Sequence, residues 1–490
     1  VSTLEPPKPG QIRRGMGWAT VGQVGAEGLR IVTGFALARF MTPEEFGLVG
    51  MVTVIANYAS VLLNFGFGSA LVQRRQTSTA DLSTVFWFNV LVGVLLTGLF
   101  AVASPALAAF YGRPELELIS AVLALNFLLL APSIVQRTML HRELRFRGLA
   151  VVDLVATVVS SVLALGMGVT GWGTWSLVAW TLSRSAVQTV GSVALYRWIP
   201  ALTFSRASVR EMFGFAANVT ASETLGYVAA NVDRLLVGKF LGAGALGIYE
   251  QAVRLMMLPV ANTSMVLGRV LFPALARMQD EPDRARGVYL KSVRMSMFVA
   301  SPFLVGLLVA AEPFVAVAYG PGWDDLVPVL RLTALTGLAS TLMTLATSVF
   351  RSTGQANLEL RVGSVRRILG VAFACVGVMW NVVAVALGRL LAVLVGVVLY
   401  QRVIGRMLGV SLRAQVLNVS TVVVASFALA GSVLLVEHVC VGFSAPVVLF
   451  ADVLVGACVY LGVARLARDR SLSELRAMAA AGLGRRPELT

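Results

Sequence analysis

Apolar runs of about twenty residues recur along the whole chain, and each is long enough to cross the ~30 Å hydrocarbon core of a bilayer. They fall at 17–38, 46–71, 82–110, 116–136, 149–169, 174–196, 211–238, 245–276, 295–318, 326–350, 362–380, 383–401, 415–436 and 444–464. The 490 residues are 57% hydrophobic and 13% charged. A water-soluble fold carries about 25% charged residues and could not hide this much apolar surface. Lipid satisfies no backbone hydrogen bonds, and the runs lack the alternation of β-barrel strands, so each is predicted as a helix. The expected fold is an all-α membrane protein with about fourteen transmembrane helices.

The formal net charge is +15, which in a soluble protein would suggest nucleic acid. Here the basic residues mark topology. Every second connection is rich in arginine: Arg74 and Arg75; Arg137, Arg142, Arg145 and Arg147; Arg197, Arg206 and Arg210; Arg277, Arg284, Arg286, Lys291 and Arg294; Arg351, Arg361, Arg366 and Arg367; Arg402, Arg406 and Arg413. The opening segment (Lys8, Arg13, Arg14) and the tail from Arg465 to Arg486 belong to the same set, while Arg39, Arg113 and Lys239 are exceptions on the other side. The positive-inside rule then places both termini in the cytoplasm, with anionic lipid headgroups as partners and no nucleic acid. Cys375, Cys440 and Cys458 form no C-x-x-C pair, and His141 and His438 are isolated, so neither a metal site nor a cofactor is expected.

The chain also repeats itself. At an offset of 200, LARFMTPEEFGLVG (37–50) meets VGKFLGAGALGIYE (237–250), which pairs Arg39 with Lys239, Phe40 with Phe240 and Gly47 with Gly247. ASPALAAFYG (103–112) meets AEPFVAVAYG (311–320), and Arg184 meets Arg389. Six spans per copy is an even number, so the two copies enter the membrane in the same sense. Repeats of this kind are related by an axis along the membrane normal and hold substrate at their interface. The expected organisation is a cytoplasmic arm (1–16), an N-lobe (17–204), a C-lobe (205–407), two accessory helices (408–466) and a basic cytoplasmic tail (467–490).

Ionisable residues within spans are expensive and mark function. In helix 1, Gln23, Glu27, Arg30 and Gly34 fall within a sector of roughly 60° on one face. In helix 7, Glu223, Tyr227, Asn231 and Arg234 span roughly 80°. Two readings stand side by side. Arg30 and Arg234 line a hydrated cavity and hold an anionic headgroup, for which the planar guanidinium suits phosphate oxygens. Alternatively, Glu27–Arg30 is an internal ion pair, as is Asp233 with its neighbour Arg234. Asp233 is also the candidate for coupling to a proton or sodium gradient. Arg184 and Arg389 either line the cavity or bond to carbonyls of a neighbouring helix. Asn57 and Asn64 read as interhelical glue, and Arg254, Arg269, Arg331 and Asp452 as side chains that snorkel from span ends.

No G-x-x-x-x-G-K-[ST] is present, so ATP does not drive a cycle from this chain, and no H-E-x-x-H or nucleophile elbow appears. The predicted outer loops are too short for the aqueous face a membrane glycosyltransferase or polymerase needs. A transporter, not an enzyme, is expected.

The segment LARFMTPEEFGLVGMVTVIANYASVLLNFGFGSALVQRR (37–75), followed by LSTVFWFNVLVG (82–93), resembles the polysaccharide transporter family, and within it the Wzx-type oligosaccharide flippases of the colanic and teichuronic acid exporter branch. NVDRLLVGKFLGAGALGIYEQAVRLMMLPV (231–260), FPALARMQ (272–279) and YGPGW (319–323) continue the match, which covers roughly 12–410. The resemblance implies two six-helix lobes around a central cavity, as in multidrug/oligosaccharidyl-lipid/polysaccharide exporters. It implies transport of undecaprenyl-diphosphate-linked repeat units across the plasma membrane. It also makes Arg30 and Arg234 the candidates for diphosphate, although Glu27 breaks a purely cationic helix 1. The substrate partner is then a lipid-linked oligosaccharide, and polysaccharide polymerase machinery is a further candidate partner. With both lobes in one chain, a monomer is expected. A cation-coupled multidrug exporter of the same superfamily, a membrane enzyme of polysaccharide assembly and a non-transporting scaffold are the alternatives.

Overall fold

The computed structural model describes residues 9–64, 66–73, 77–278, 281–469, 471, 472 and 474. The expected features at 1–8, at Arg74 and Arg75, and over 475–490 lie outside these residues. Every regular element among the described residues is an α-helix. Among the described residues, eight helices are long and apolar enough to span a membrane, and a pair bent by 45° (Glu115–Leu130 with Ser133–Arg142) passes the same test as one broken span. The chain is therefore a multi-pass membrane protein.

By compactness the chain divides into residues 1–247 and 248–490. The first unit holds α1 (Pro9–Ala38), α2 (Pro43–Asn64), α3 (Phe67–Gln73), α4 (Thr79–Tyr111), α5 (Glu115–Leu123), α6 (Leu125–Leu130), α7 (Ser133–Arg142), α8 (Phe146–Val169) and α9 (Thr174–Leu195). Next comes α10 (Arg206–Ala276), whose hydrogen bonding runs across the division. The second unit continues with α11 (Pro282–Val309), α12 (Ala311–Ala318), α13 (Leu326–Thr344), α14 (Ala346–Ser352), α15 (Ala356–Gly377), α16 (Val382–Leu408), α17 (Leu412–Asn418), α18 (Ser420–Val439) and α19 (Ala445–Leu466).

Three differences from expectation have physical causes. Residues 239–244 do not form a loop: α10 has a single non-helical residue, Gly242, at φ 88°. One glycine in the left-handed half of φ space is enough to break a helix axis while hydrogen bonds resume on either side. The first helix begins at Pro9, inside the expected arm 1–16. And α11 begins at Pro282, well before the apolar run at 295, with Arg284, Arg286, Lys291 and Arg294 on its opening turns. Hydropathy marks where lipid begins, whereas a helix continues into the headgroup zone where basic side chains are solvated. The start of the tail is acidic at that point: Glu474 lies 3.1 Å from Lys291 and 3.4 Å from Arg294.

In the first unit, α1 packs on α8 through small residues. Thr33 donates to Ser161 Oγ at 2.8 Å, and a Cβ on Gly22 would fall 2.3 Å from the Ala150 Cβ. The match between the two copies also has a local structural counterpart. Tyr111 and Tyr319 are both buried, and each is followed by a glycine in the left-handed region: Gly112 at φ 68° and Gly320 at φ 86°. Gly112 is the C-cap of α4, a position that glycine fills without the Cβ penalty. In YGPGW, the Tyr319 and Trp323 rings pack at a tilt with centroids 4.9 Å apart, both nearly inaccessible. This motif is a packed turn that follows α12.

Gly47 and Gly247, which the offset of 200 pairs, meet in the first unit. A Cβ on Gly47 would lie 1.7 Å from the Ala243 carbonyl oxygen, and one on Gly247 would lie 2.0 Å from the Pro43 carbonyl oxygen. Two helix backbones touch here, in the way small residues permit in membranes.

Candidate functional site

Helix α1 carries the first predicted stripe. Gln23 is exposed, Glu27 and Arg30 are half-buried, and Gly34 is buried. Glu27 and Arg30 form an ion pair one helical turn apart. The i, i+3 spacing places the two side chains on one face, and the pair stays about a quarter to a third accessible (26% and 31%). Both readings of these residues therefore keep a footing: the charges are paired with each other and remain open to a ligand.

The second stripe, on the first arm of α10 (residues 206–241), forms a hydrogen-bonded ladder within the first unit. The Tyr227 hydroxyl donates to the Val54 carbonyl of α2 at 2.7 Å, and Tyr58 packs beside its ring at 6.2 Å between centroids. The Asn231 amide donates to the Tyr227 carbonyl at 2.8 Å, and Arg234 donates to Asn231 Oδ1. Asp233 Oδ1 accepts the backbone N–H of Arg234 at 2.9 Å. Asn231 is buried and Glu223 is exposed. Tyr227 thus serves to dock α10 on α2. Replacing Tyr227 by Phe should cost about 1 kcal/mol of stability, the net worth of one such bond, read as a lowered midpoint in thermal unfolding of the purified chain.

Arg184 sits half-buried at the middle of α9, whose 22 residues span Thr174–Leu195. On the same helix, Gln188 joins an interhelical cluster that the sequence did not single out. Arg137 of α7 makes a two-pronged ion pair with Asp153 of α8, at 2.9 and 3.1 Å, and Gln188 donates to Asp153 Oδ1 at 2.9 Å. Such a fork ties three helices with fixed geometry. With side chains 25% and 30% accessible, the pair is screened less than a surface bridge. Arg137→Met should destabilise by about 1–2 kcal/mol, below the 3–5 of a fully buried pair. Arg137→Met/Asp153→Asn should recover part of that loss in the same unfolding measurement.

In the second unit, Arg389 of α16 donates to the Tyr249 hydroxyl at 3.3 Å. Arg367, Arg389 and Tyr400 each lie within electrostatic range of Arg366. The Arg366 stem packs where α16 offers no side chain: a Cβ on Gly396 would fall 2.7 Å from its Cδ. Sequence reasoning assigns Arg366 and Arg367 to a basic connection. The structure starts α15 at Ala356, which puts Arg366 at the middle of a 22-residue helix. The overlooked signal is the spacing of Arg389, Gly396 and Tyr400 at i, i+7 and i+11, one face of α16.

Comparisons with known proteins bear on family and fold. The family described as "Polysaccharide biosynthesis protein" matches residues 36–328. The teichuronic acid biosynthesis protein TuaB of Bacillus subtilis is 31% identical over 354 residues, covering 71% of this chain and 72% of its own. The lipopolysaccharide biosynthesis protein WzxC of Escherichia coli is 28% identical over 413 residues, covering 82% and 83%. Among solved structures, the lipid II flippase MurJ in an inward closed conformation superposes with a TM-score of 0.72 over 92% of this chain and 99% of its own, at 13% identity. That last likeness is one of fold. The extent of the sequence match, over more than half of its length, means that the chain belongs to the polysaccharide biosynthesis protein family.

Proposed function

We propose that the chain is a flippase that moves polyprenyl-diphosphate-linked oligosaccharide repeat units from the cytoplasmic to the outer leaflet of the plasma membrane, for assembly of a cell-surface polysaccharide. It is a transporter and not an enzyme. The observation that carries this reading is arginine held within long helices of both units, at Arg30, Arg184 and Arg234 in one and at Arg366, Arg367 and Arg389 in the other, in a chain of this family. Intramembrane cations are retained at a cost, and a diphosphate is the ligand whose oxygens match the guanidinium fork.

Eight single spans and the bent pair, taken with α1, α9, the two arms of α10 and α15, make fourteen crossings. The basic connections then face the cytoplasm, with both termini on that side. The cycle is alternating access, with headgroup and sugars carried by the polar helix faces and the polyprenyl tail left in lipid. Arg30, of the first six-helix copy, and Arg234, Arg389 and Arg366, of the second, bind diphosphate. The final helix pair, α18 and α19, is accessory to the exchange. The chain acts as a monomer beside polysaccharide polymerase machinery, with an ion gradient as the driving force.

The test uses proteoliposomes holding the full chain and a fluorescent short-chain polyprenyl-diphosphate disaccharide. Faster equilibration of the probe between leaflets than in protein-free vesicles is the expected result. Equal rates in both would remove the flippase reading.

A further inference from the structure

The sequence places Asp452 near a span end, where a charged side chain reaches the headgroups. The structure does not. Asp452 is the eighth residue of α19, about 10 Å along the axis from its start, and an aspartate side chain is too short to cover that depth. Its accessibility is 2%, and neither carboxylate oxygen has a hydrogen-bond partner among the described residues.

Asp452 lines a cavity of about 250 Å³ within the second unit, between α11 and α12 on one side and α18 and α19 on the other. The residues around it explain why there is space. Pro302 lies inside α11 without an N–H to donate, Gly306 has nothing within 4 Å of where its Cβ would be, and Gly456 lets α18 and α19 approach closely. Phe303, Leu307 and Leu429 make the remaining wall apolar. Calcium and magnesium take six or more oxygen ligands, and the side chains of this wall offer none besides the carboxylate. An isolated carboxylate in such surroundings is stable only when neutralised.

A graded path of acids leads toward it. Glu437, in the last turn of α18, lies within electrostatic range of Asp452, of Glu312 on α12 and of Arg331 on α13. Glu437 has one buried carboxylate oxygen that also lacks a hydrogen-bond partner among the described residues. Glu312 pairs with Arg331 at 2.9 Å and is 70% accessible. On α11 the residues facing the cavity carry no charge. From Glu312 through Glu437 to Asp452, acids run from solvent to full burial, along the end of the unit that the proposed orientation places outside.

We propose that Asp452 is a proton-binding site of the C-terminal helix pair, loaded from the outer face through Glu437. Binding adds a proton to one carboxylate oxygen, and release returns it by way of Glu437. A role of this proton in driving transport rests on the flippase reading and has its own readout.

The test is infrared difference spectroscopy of the full chain in lipid nanodiscs during a change of pH. The wild type should show a protonated-carboxyl C=O band that is lost in Asp452→Asn and displaced in Asp452→Glu, with both variants eluting as the wild type does on size exclusion. A band unchanged in Asp452→Asn would overturn the proposal, as would a wild-type band that appears only when sodium is withdrawn. Glu437→Gln should slow the appearance of the band by at least tenfold without removing it; an unchanged rate would overturn the path through Glu437. For coupling, Asp452→Asn should lower probe movement driven by a pH gradient at least tenfold, while movement without a gradient persists in both proteins. Wild-type gradient-driven movement in Asp452→Asn would refute coupling at Asp452 and leave the flippase reading standing. No movement in any protein would refute the flippase reading and leave the infrared assignment standing.

Discussion

Replacing Arg30 and Arg234 together by alanine should abolish glycan export in a strain that depends on this chain. A charge-assisted bond from guanidinium to phosphate is worth about 2 kcal/mol, so each single replacement should slow export on the order of thirtyfold. Lysine at either position should restore it only in part, since a point charge cannot reproduce the fork. The structure adds a control, because Arg30 is paired with Glu27 and Arg234 with Asn231. If the Glu27–Arg30 pair were purely structural, Glu27→Gln would harm export as much as Arg30→Gln does. If Arg30 binds substrate, Glu27→Gln should leave export near or above the wild-type rate. Export by the double alanine variant at the wild-type rate would remove both arginines from the site.

The second large effect is on folding. Gly47→Ala and Gly247→Ala should each remove most of the folded protein. The added methyl would meet a carbonyl oxygen of a packed helix at 1.7 Å or 2.0 Å, and backbone cannot turn aside as a side chain can. Overpacking costs about 1–3 kcal/mol where neighbours can shift, and this site lies at or above the upper end. Gly98→Ala, on α4 with nothing within 4 Å of the new Cβ, should behave as the wild type. The yield of monodisperse protein in mild detergent measures all three, and a normal yield for Gly47→Ala would mean that the two helices do not touch there.

Each sequence signal is legible only as far as the quantity it measures. Hydropathy finds the apolar core of each span, because lipid selects for it over the full length of a helix. It cannot find where helices begin outside lipid, hence Pro282 and Ala356 in place of 295 and 362. The offset of 200 pairs Gly47 with Gly247 by register alone, and the two glycines touch in space. Whether a lone glycine makes a loop or a kink depends on how the next segment packs, so Gly242 is unreadable from its neighbours in sequence. The stripes of helices 1 and 7 are legible as polar faces, but period alone does not show which members bond inward. Tyr227 is occupied by Val54, whereas Glu27 and Arg30 remain partly open. Asp452 is misplaced by sequence for one reason. Distance from a span end, counted along the chain, stands in for depth there, and neighbouring helices decide depth.

The claim that matters most is that this chain carries a lipid-linked oligosaccharide across the membrane, and the lipids of a cell that lacks it report on this directly. Extracts of a deletion strain should contain accumulated polyprenyl-diphosphate-linked oligosaccharide of completed repeat length. In right-side-out vesicles that material should be shielded from added glycosidase, and expression of the chain in trans should remove the accumulation. A deletion strain in which no lipid-linked repeat accumulates, or in which incomplete repeats accumulate in place of completed ones, would contradict the account.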